Sequence, residues 1–179
     1  QRVEKLRAQV EDQVGERFIA PDADIDGWLN YAALRDAADD SLASISIAPE
    51  DECNIIYSSG TTGLPKGIVH DHAGREAWGS DMAVALRYHA GARTLCNLGL
   101  FSNIVWVGIL ATFFAGGTLV VSRRFAVEDC LETIAKHRVT HSTMVPLQFQ
   151  KLLEHPDVDR YDLSSLDACM CCGSPLAAS

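Results

Sequence analysis

Beyond residue 52 the apolar positions of this chain switch repeatedly between two periods. Short runs of β-branched and apolar residues alternate with longer stretches in which apolar residues recur every three to four positions. The short runs predict strands over 53–58, 67–70, 94–98, 118–122, 140–145 and 166–172. The longer stretches predict helices from 71 or 72 to about 89, over 102–115, over 127–138 and over 146–154. Val127, Leu131 and Ile134 form one side of the third of these, and Pro146 suits the first position of the fourth. Upstream, Val3, Leu6, Val10 and Val14 make a helical stripe over 2–14; a short strand over 17–20 and a helix over 28–38 follow. Residues 41–52 are polar and irregular, with Pro49 as a breaker.

Strands alternating with helices imply right-handed crossovers. The expected fold class is therefore α/β, a mostly parallel sheet with helices on both faces. Residues 1–47 are expected to form a helical and irregular segment of the same domain, and residues 48–179 its α/β part. Ligands in such sheets sit at the carboxyl ends of the strands. The segment after strand 53–58 and the turn Cys172-Gly173-Ser174-Pro175 both lie there.

Residues 104–121 carry no charge, close to the length of a membrane span. Gly116-Gly117 divides them, so a buried helix followed by a buried strand is the reading adopted. The opening residues are charged and lack the apolar core of a signal peptide. A net charge of −9, with Arg123-Arg124 as the sole basic doublet, argues against a nucleic-acid surface. Six cysteines, of which only Cys169 and Cys172 stand at C-x2-C spacing with no second pair beside them, point to a thiol-rich cytosolic protein rather than a zinc site. Alternation places Cys169 and Cys171 on one strand face, where free cysteines pack as small hydrophobes.

The chemistry is concentrated in Tyr57-Ser58-Ser59-Gly60-Thr61-Thr62-Gly63-Leu64-Pro65-Lys66-Gly67. Glycines let backbone N–H groups approach a ligand, hydroxyls donate hydrogen bonds, and Lys66 adds a point charge. Such a segment suits a polyphosphate. It is not a Walker loop, because no Gly-Lys-Ser/Thr closes it. A Ser/Gly-rich linker would account for the glycines but not for the Pro-Lys-Gly ending or the preceding strand.

The segment resembles the signature of the adenylate-forming superfamily, which includes acyl-CoA synthetases, luciferases and peptide-synthetase adenylation domains. The likeness extends to Ala48-Pro49-Glu50-Asp51, Gly67-Ile68-Val69-His70-Asp71-His72, Phe114-Ala115-Gly116-Gly117-Thr118, Arg138-Val139-Thr140 and Met144-Val145-Pro146. It also covers Tyr161 to Leu166 followed by Gly173-Ser174-Pro175-Leu176, while residues 1–47 match loosely. The resemblance implies the partial N-terminal domain of an acyl-CoA synthetase-like ligase of fatty-acid metabolism, cytoplasmic, with ATP, Mg2+ and coenzyme A. A small-molecule carboxylate is its implied substrate. By resemblance Ser58, Ser59, Gly60, Thr61, Thr62 and Gly63 hold the β- and γ-phosphates, with Lys66 beside them or bracing the segment. Gly173, Ser174 and Pro175 line the adenine side. Leu98-Gly99-Leu100-Phe101-Ser102 matches a stretch that ends in a histidine or aromatic gate; Ser102 occupies that place, with Trp106 near the acyl site.

Several family elements are expected beyond Ser179: the magnesium-binding glutamate motif, the ribose-binding aspartate, the hinge and the C-terminal domain with its lysine. Residues 1–179 alone are accordingly expected to bind ATP weakly, to turn nothing over, and to self-associate through exposed surfaces. No residue here is assigned as catalytic and none as a metal ligand. Asp71 and His72 read as a helix start rather than half of an H-x-H metal site, and His137 and His141 as surface or capping groups. Trp78, Trp106 and Phe113-Phe114 read as core. A non-catalytic nucleotide-binding module, a peptide-synthetase adenylation domain and an α/β scaffold with a vestigial loop stand as alternatives.

Overall fold

The computed structural model describes residues 19–21, 24–58 and 64–175. The helix expected over 2–14 and the centre of the Ser/Gly/Thr segment, 59–63, lie outside the described residues. The chain divides into two compact units, Gln1–Ser46 and Ile47–Ser179.

In the first unit, strands β1 (Ile19–Ala20) and β2 (Leu29–Asn30) pair in parallel and lead into helix α1 (Tyr31–Ala37). The helix starts later than the expected residue 28 because Leu29 and Asn30 are held in the β1 pairing. Asn30 then caps it, its side chain accepting the Ala33 N–H at 3.0 Å. No residue of α1 is buried.

The second unit opens with β3 (Glu52–Ser58) and β4 (Lys66–Asp71), which pair antiparallel as a two-stranded ribbon. Helix α2 (His72–Ala85) follows at once, and Asp71 caps it by accepting the Gly74 N–H at 2.7 Å. The segment before β3 completes this start. The His72 N–H donates to the Asp51 carbonyl at 3.1 Å and the Ala73 N–H to the Pro49 carbonyl at 2.9 Å. Residues 48–51 thus satisfy N–H groups that a helix's first turn leaves without intrahelical partners.

From there strands and helices alternate: β5 (Arg93–Cys96), α3 (Asn103–Ala115), β6 (Thr118–Val121), α4 (Val127–His137), β7 (His141–Met144), α5 (Pro146–Leu153) and β8 (Ala168–Cys171). The four strands form one all-parallel sheet in the order β6-β5-β7-β8. Leu95 packs with Cys130, Leu131, Ile134, Val139, Met144 and Leu152 under α4 and α5. On the opposite face Cys96 packs with Val105 and Ile109 of α3. Burying side chains such as Leu131 and Ile134 contributes roughly 1.5–3 kcal/mol each. Helix α2 lies against α3, and Gly79 permits the approach: a Cβ there would stand 3.3 Å from Leu110 Cβ.

The uncharged stretch from Ile104 resolves as α3 ending at Gly116, in the left-handed region at φ 72°, and then β6. Among the described residues no helix is long and apolar enough to cross a membrane. The strand is an edge rather than the buried element expected, with Val121 66% exposed. The aromatic residues also depart from expectation. Trp106, Phe113 and Phe114 are exposed, and Trp78 is half-buried. Trp106 and Phe113 are seven residues apart on one side of the helix and are 37% and 65% exposed. Cys169, expected to pack inside, is exposed on the edge strand β8.

His141 departs in the other direction. It is 1% exposed at the head of β7, its ring centroid 4.0 Å from that of Tyr88. Its Nε2–H donates to the Leu86 carbonyl at 3.0 Å, and the Thr140 hydroxyl donates to Nδ1 at 2.7 Å. The histidine joins the sheet to the end of α2 instead of lying at the surface.

Candidate active site

Register sets where the two ends of the Ser/Gly/Thr segment stand. Ser58 at the end of β3 stands opposite Lys66 at the start of β4, and Tyr57 opposite Gly67. The ribbon therefore closes its neck on the backbone of Ser58 and the exposed Lys66, with residues 59–65 as the connection between them. Ser59, Gly60, Thr61, Thr62 and Gly63 lie outside the described residues.

The carboxyl ends of the parallel strands carry the other two predicted regions. The connection after β5 runs through Leu98 to Ser102 and into α3; the turn after β8 is Gly173-Ser174-Pro175. These two meet. Gly173 has φ 95°, and a Cβ on it would lie 2.8 Å from Ile104 Cδ1 and 3.3 Å from Val145 Cγ1. Glycine is required here by backbone conformation, and a side chain would also crowd Ile104. The turn after β8 is consequently seated against the first turn of α3, next to Ser102.

Beside the same helix a cavity of about 400 Å³ opens toward β3, walled by Ile56, Leu100, Phe101, Trp106 and Leu110. Trp106 lines it. Ser102 does not; it is the half-buried residue before α3 and makes no side-chain capping hydrogen bond. The Trp106 indole N–H donates to the Leu100 carbonyl at 2.9 Å, which fastens the connection after β5 to the helix.

One residue at this cavity was missed by sequence reasoning. Arg75 of α2 reaches across: its Nε–H donates to Asn54 Oδ1 on β3 at 2.8 Å. Both terminal nitrogens stand 3.4 Å from Asn103 Oδ1 at the start of α3. Its guanidinium lies 4.9 Å from the centroid of the Trp78 ring. A single arginine in a helix carries no sequence signal of this kind, because its partners are 21 and 28 positions away.

An all-parallel sheet with helices on both faces, preceded in the chain by an antiparallel ribbon, defines an α/β architecture. The family model described as AMP-binding enzyme matches residues 1–179, and the chain belongs to that family. It is 31% identical over 157 residues to 4-coumarate–CoA ligase CCL1 of Humulus lupulus, covering 83% of this chain and 28% of that protein. Over 165 residues it is 33% identical to the 3-[(3aS,4S,7aS)-7a-methyl-1,5-dioxo-octahydro-1H-inden-4-yl]propanoyl:CoA ligase of Mycobacterium tuberculosis, covering 92% and 30%. The crystal structure of the anthranilate CoA ligase AuaEII in complex with anthranoyl-AMP superposes with a TM-score of 0.80 at 24% identity. That match covers 98% of this chain and 35% of the other, and it bears on the fold. The chain spans less than a third of the length of these two curated relatives. Neither relative is named as a fatty-acid ligase, so the fatty-acid setting has no support here.

Proposed function

We propose that this chain forms the phosphate-handling part of an ATP-dependent carboxylate–CoA ligase. The observation that carries the reading is the register of the β3–β4 ribbon, which places Lys66 at the neck of the Ser/Gly/Thr segment. Backbone N–H groups and hydroxyls of residues 58–63 hold the β- and γ-phosphates of ATP there, and Lys66 offsets their charge. Gly173, Ser174 and Pro175 receive the adenine, on a turn that packs against the helix flanking the acid cavity. The acid attacks the α-phosphate and pyrophosphate leaves; the coenzyme A thiol then takes the acyl group from the adenylate, and AMP leaves. Phosphoryl chemistry of this kind rests mainly on positioning and charge stabilisation. Among the described residues no three His, Cys, Asp or Glu side chains converge as a metal-ligand set, and no step is assigned to Mg2+.

The relatives named above act on ring-bearing acids, and ring-bearing acids are the first substrates to try. The test is acid-dependent ATP–pyrophosphate exchange by the natural protein that carries this sequence, with aromatic, short-chain, long-chain and amino acids compared. Exchange with one class is expected, falling on the order of 10²-fold in Lys66→Ala. Exchange with amino acids alone would reassign the protein to the peptide-synthetase adenylation class. ATP binding without exchange on any acid would make the chain a nucleotide-binding module. Residues 1–179 alone are expected to bind ATP weakly and complete no turnover.

A further inference from the structure

The β3–β4 ribbon and the four-stranded sheet are separate sheets, so no ladder hydrogen bonds hold one to the other among the described residues. Side chains have to set their spacing. The contact of Gly79 with Leu110 holds α2 to α3 near the middle of the two helices, and Arg75 ties the ends nearest the ribbon. β4 passes into α2 without a loop, which leaves Arg75 four residues beyond the end of the ribbon. Its Nε–H reaches back to Asn54 Oδ1 of β3 at 2.8 Å. Its terminal nitrogens reach forward, 3.4 Å from Oδ1 of Asn103, the first residue of α3. The planar guanidinium fixes the angle between these two partners, and the Trp78 ring flanks it at 4.9 Å. Asn54 lies four residues before Ser58, on the strand that enters the Ser/Gly/Thr segment. Asn103 adjoins Ile104, against which Gly173 is seated.

We propose that Arg75 is a positioning residue that sets the spacing between the phosphate end and the adenine end of the nucleotide site. It acts through Asn54 and Asn103 rather than on ATP. One side of the tether is the strand that carries the phosphate segment; the other is the helix start that supports the adenine turn. A ligand that bridges two ends gains from both only when their spacing matches its own length. A ligand held at one end is indifferent to that spacing. ATP is of the first kind; pyrophosphate, which rejoins the adenylate complex at the phosphate end, is of the second. That a nucleotide spans these ends rests on the activity proposed above; the tether between the elements does not.

The experiment is ATP–pyrophosphate exchange by the natural protein that carries this sequence, with the KM for ATP and the KM for pyrophosphate measured separately. In Arg75→Gln and in Asn103→Ala the KM for ATP is expected to rise about tenfold while that for pyrophosphate stays unchanged. The double variant should be no worse than Arg75→Gln, because both changes cut one tether; additive losses overturn the proposal. Arg75→Lys keeps the charge but loses the fork and should rise nearly as far as Arg75→Gln. Full recovery by lysine would make charge the agent and overturn the tether. An unchanged KM for ATP removes the tether and leaves the ligase reading standing. A parallel rise in both KM values overturns the proposal as general damage to the fold. If Arg75→Gln does not fold by circular dichroism, Asn103→Ala decides alone. If no acid supports exchange, calorimetry with ATP and with inorganic tripolyphosphate replaces it. A loss in the variants confined to ATP then keeps the tether and removes the ligase reading. Equal losses for both ligands, unchanged affinities, or no ATP binding by the unaltered protein overturn the proposal.

Discussion

Thr112 shows how a hydroxyl is accommodated inside an apolar helix. It is fully buried, donates to the Gly108 carbonyl one turn back at 2.5 Å, and sits 2.6 Å from the Thr94 hydroxyl of β5. A buried polar group without such partners costs about 1–3 kcal/mol. The cysteines divide by the same rule of environment. Burial pushes the thiols of Cys96 and Cys130 up to about 11, whereas Cys53 is exposed where β3 borders the cavity beside α3. Thiolates, not thiols, attack disulfide reagents. At pH 8 an aromatic disulfide reagent is therefore expected to label Cys53 in the folded chain and to reach Cys96 and Cys130 only after denaturation. Peptide mapping that finds Cys96 or Cys130 modified at the rate of Cys53 would contradict this burial pattern.

Between elements, His141 makes a pH-sensitive contact. Burial is the main influence and lowers its pKa from the ordinary 6.5; His89 and Arg87 add to that, while the Leu86 hydrogen bond and Asp167 oppose it. The folded state then binds fewer protons than the unfolded state, so stability rises with pH through this window. The contribution is fully present above 6.5 and is lost as pH falls below it toward the lowered folded value. Melting temperature should drop between about pH 7 and pH 5. His141→Gln should flatten that slope, and an unchanged slope in the variant would remove His141 as its source. Helix boundaries follow a related logic. Asp71, Gly116 and Pro146 mark the start of α2, the end of α3 and the start of α5. All three act within a few residues of themselves, and all three were legible in the sequence. The delayed start of α1 was not, because it depends on pairing across nine residues of chain between Ala20 and Asn30.

At the scale of the whole chain, the core belongs to the second unit, and residues 38–47 are exposed throughout and carry no helix or strand. Leu42 and Ile45 are 98% and 73% exposed. Brief digestion with a protease of broad specificity should therefore cut first in this segment and leave a resistant product beginning near residue 47. First cuts within the parallel sheet would show that the second unit does not hold together as described. The alternation of periods made the α/β class and the order of elements from β3 to β8 readable, since hydrophobic period is a property of neighbouring residues. The Tyr57–Gly67 segment stood out as a candidate phosphate site for the same reason: its hydroxyls, glycines and lysine are consecutive. Distance in sequence hid the remainder. Folding buried His141 beneath Tyr88, left Trp106 and Phe113 exposed, and seated Gly173 against Ile104. It also brought Arg75 between Asn54 and Asn103, because helices and strands place side chains by direction and register, and those are resolved only when elements pack.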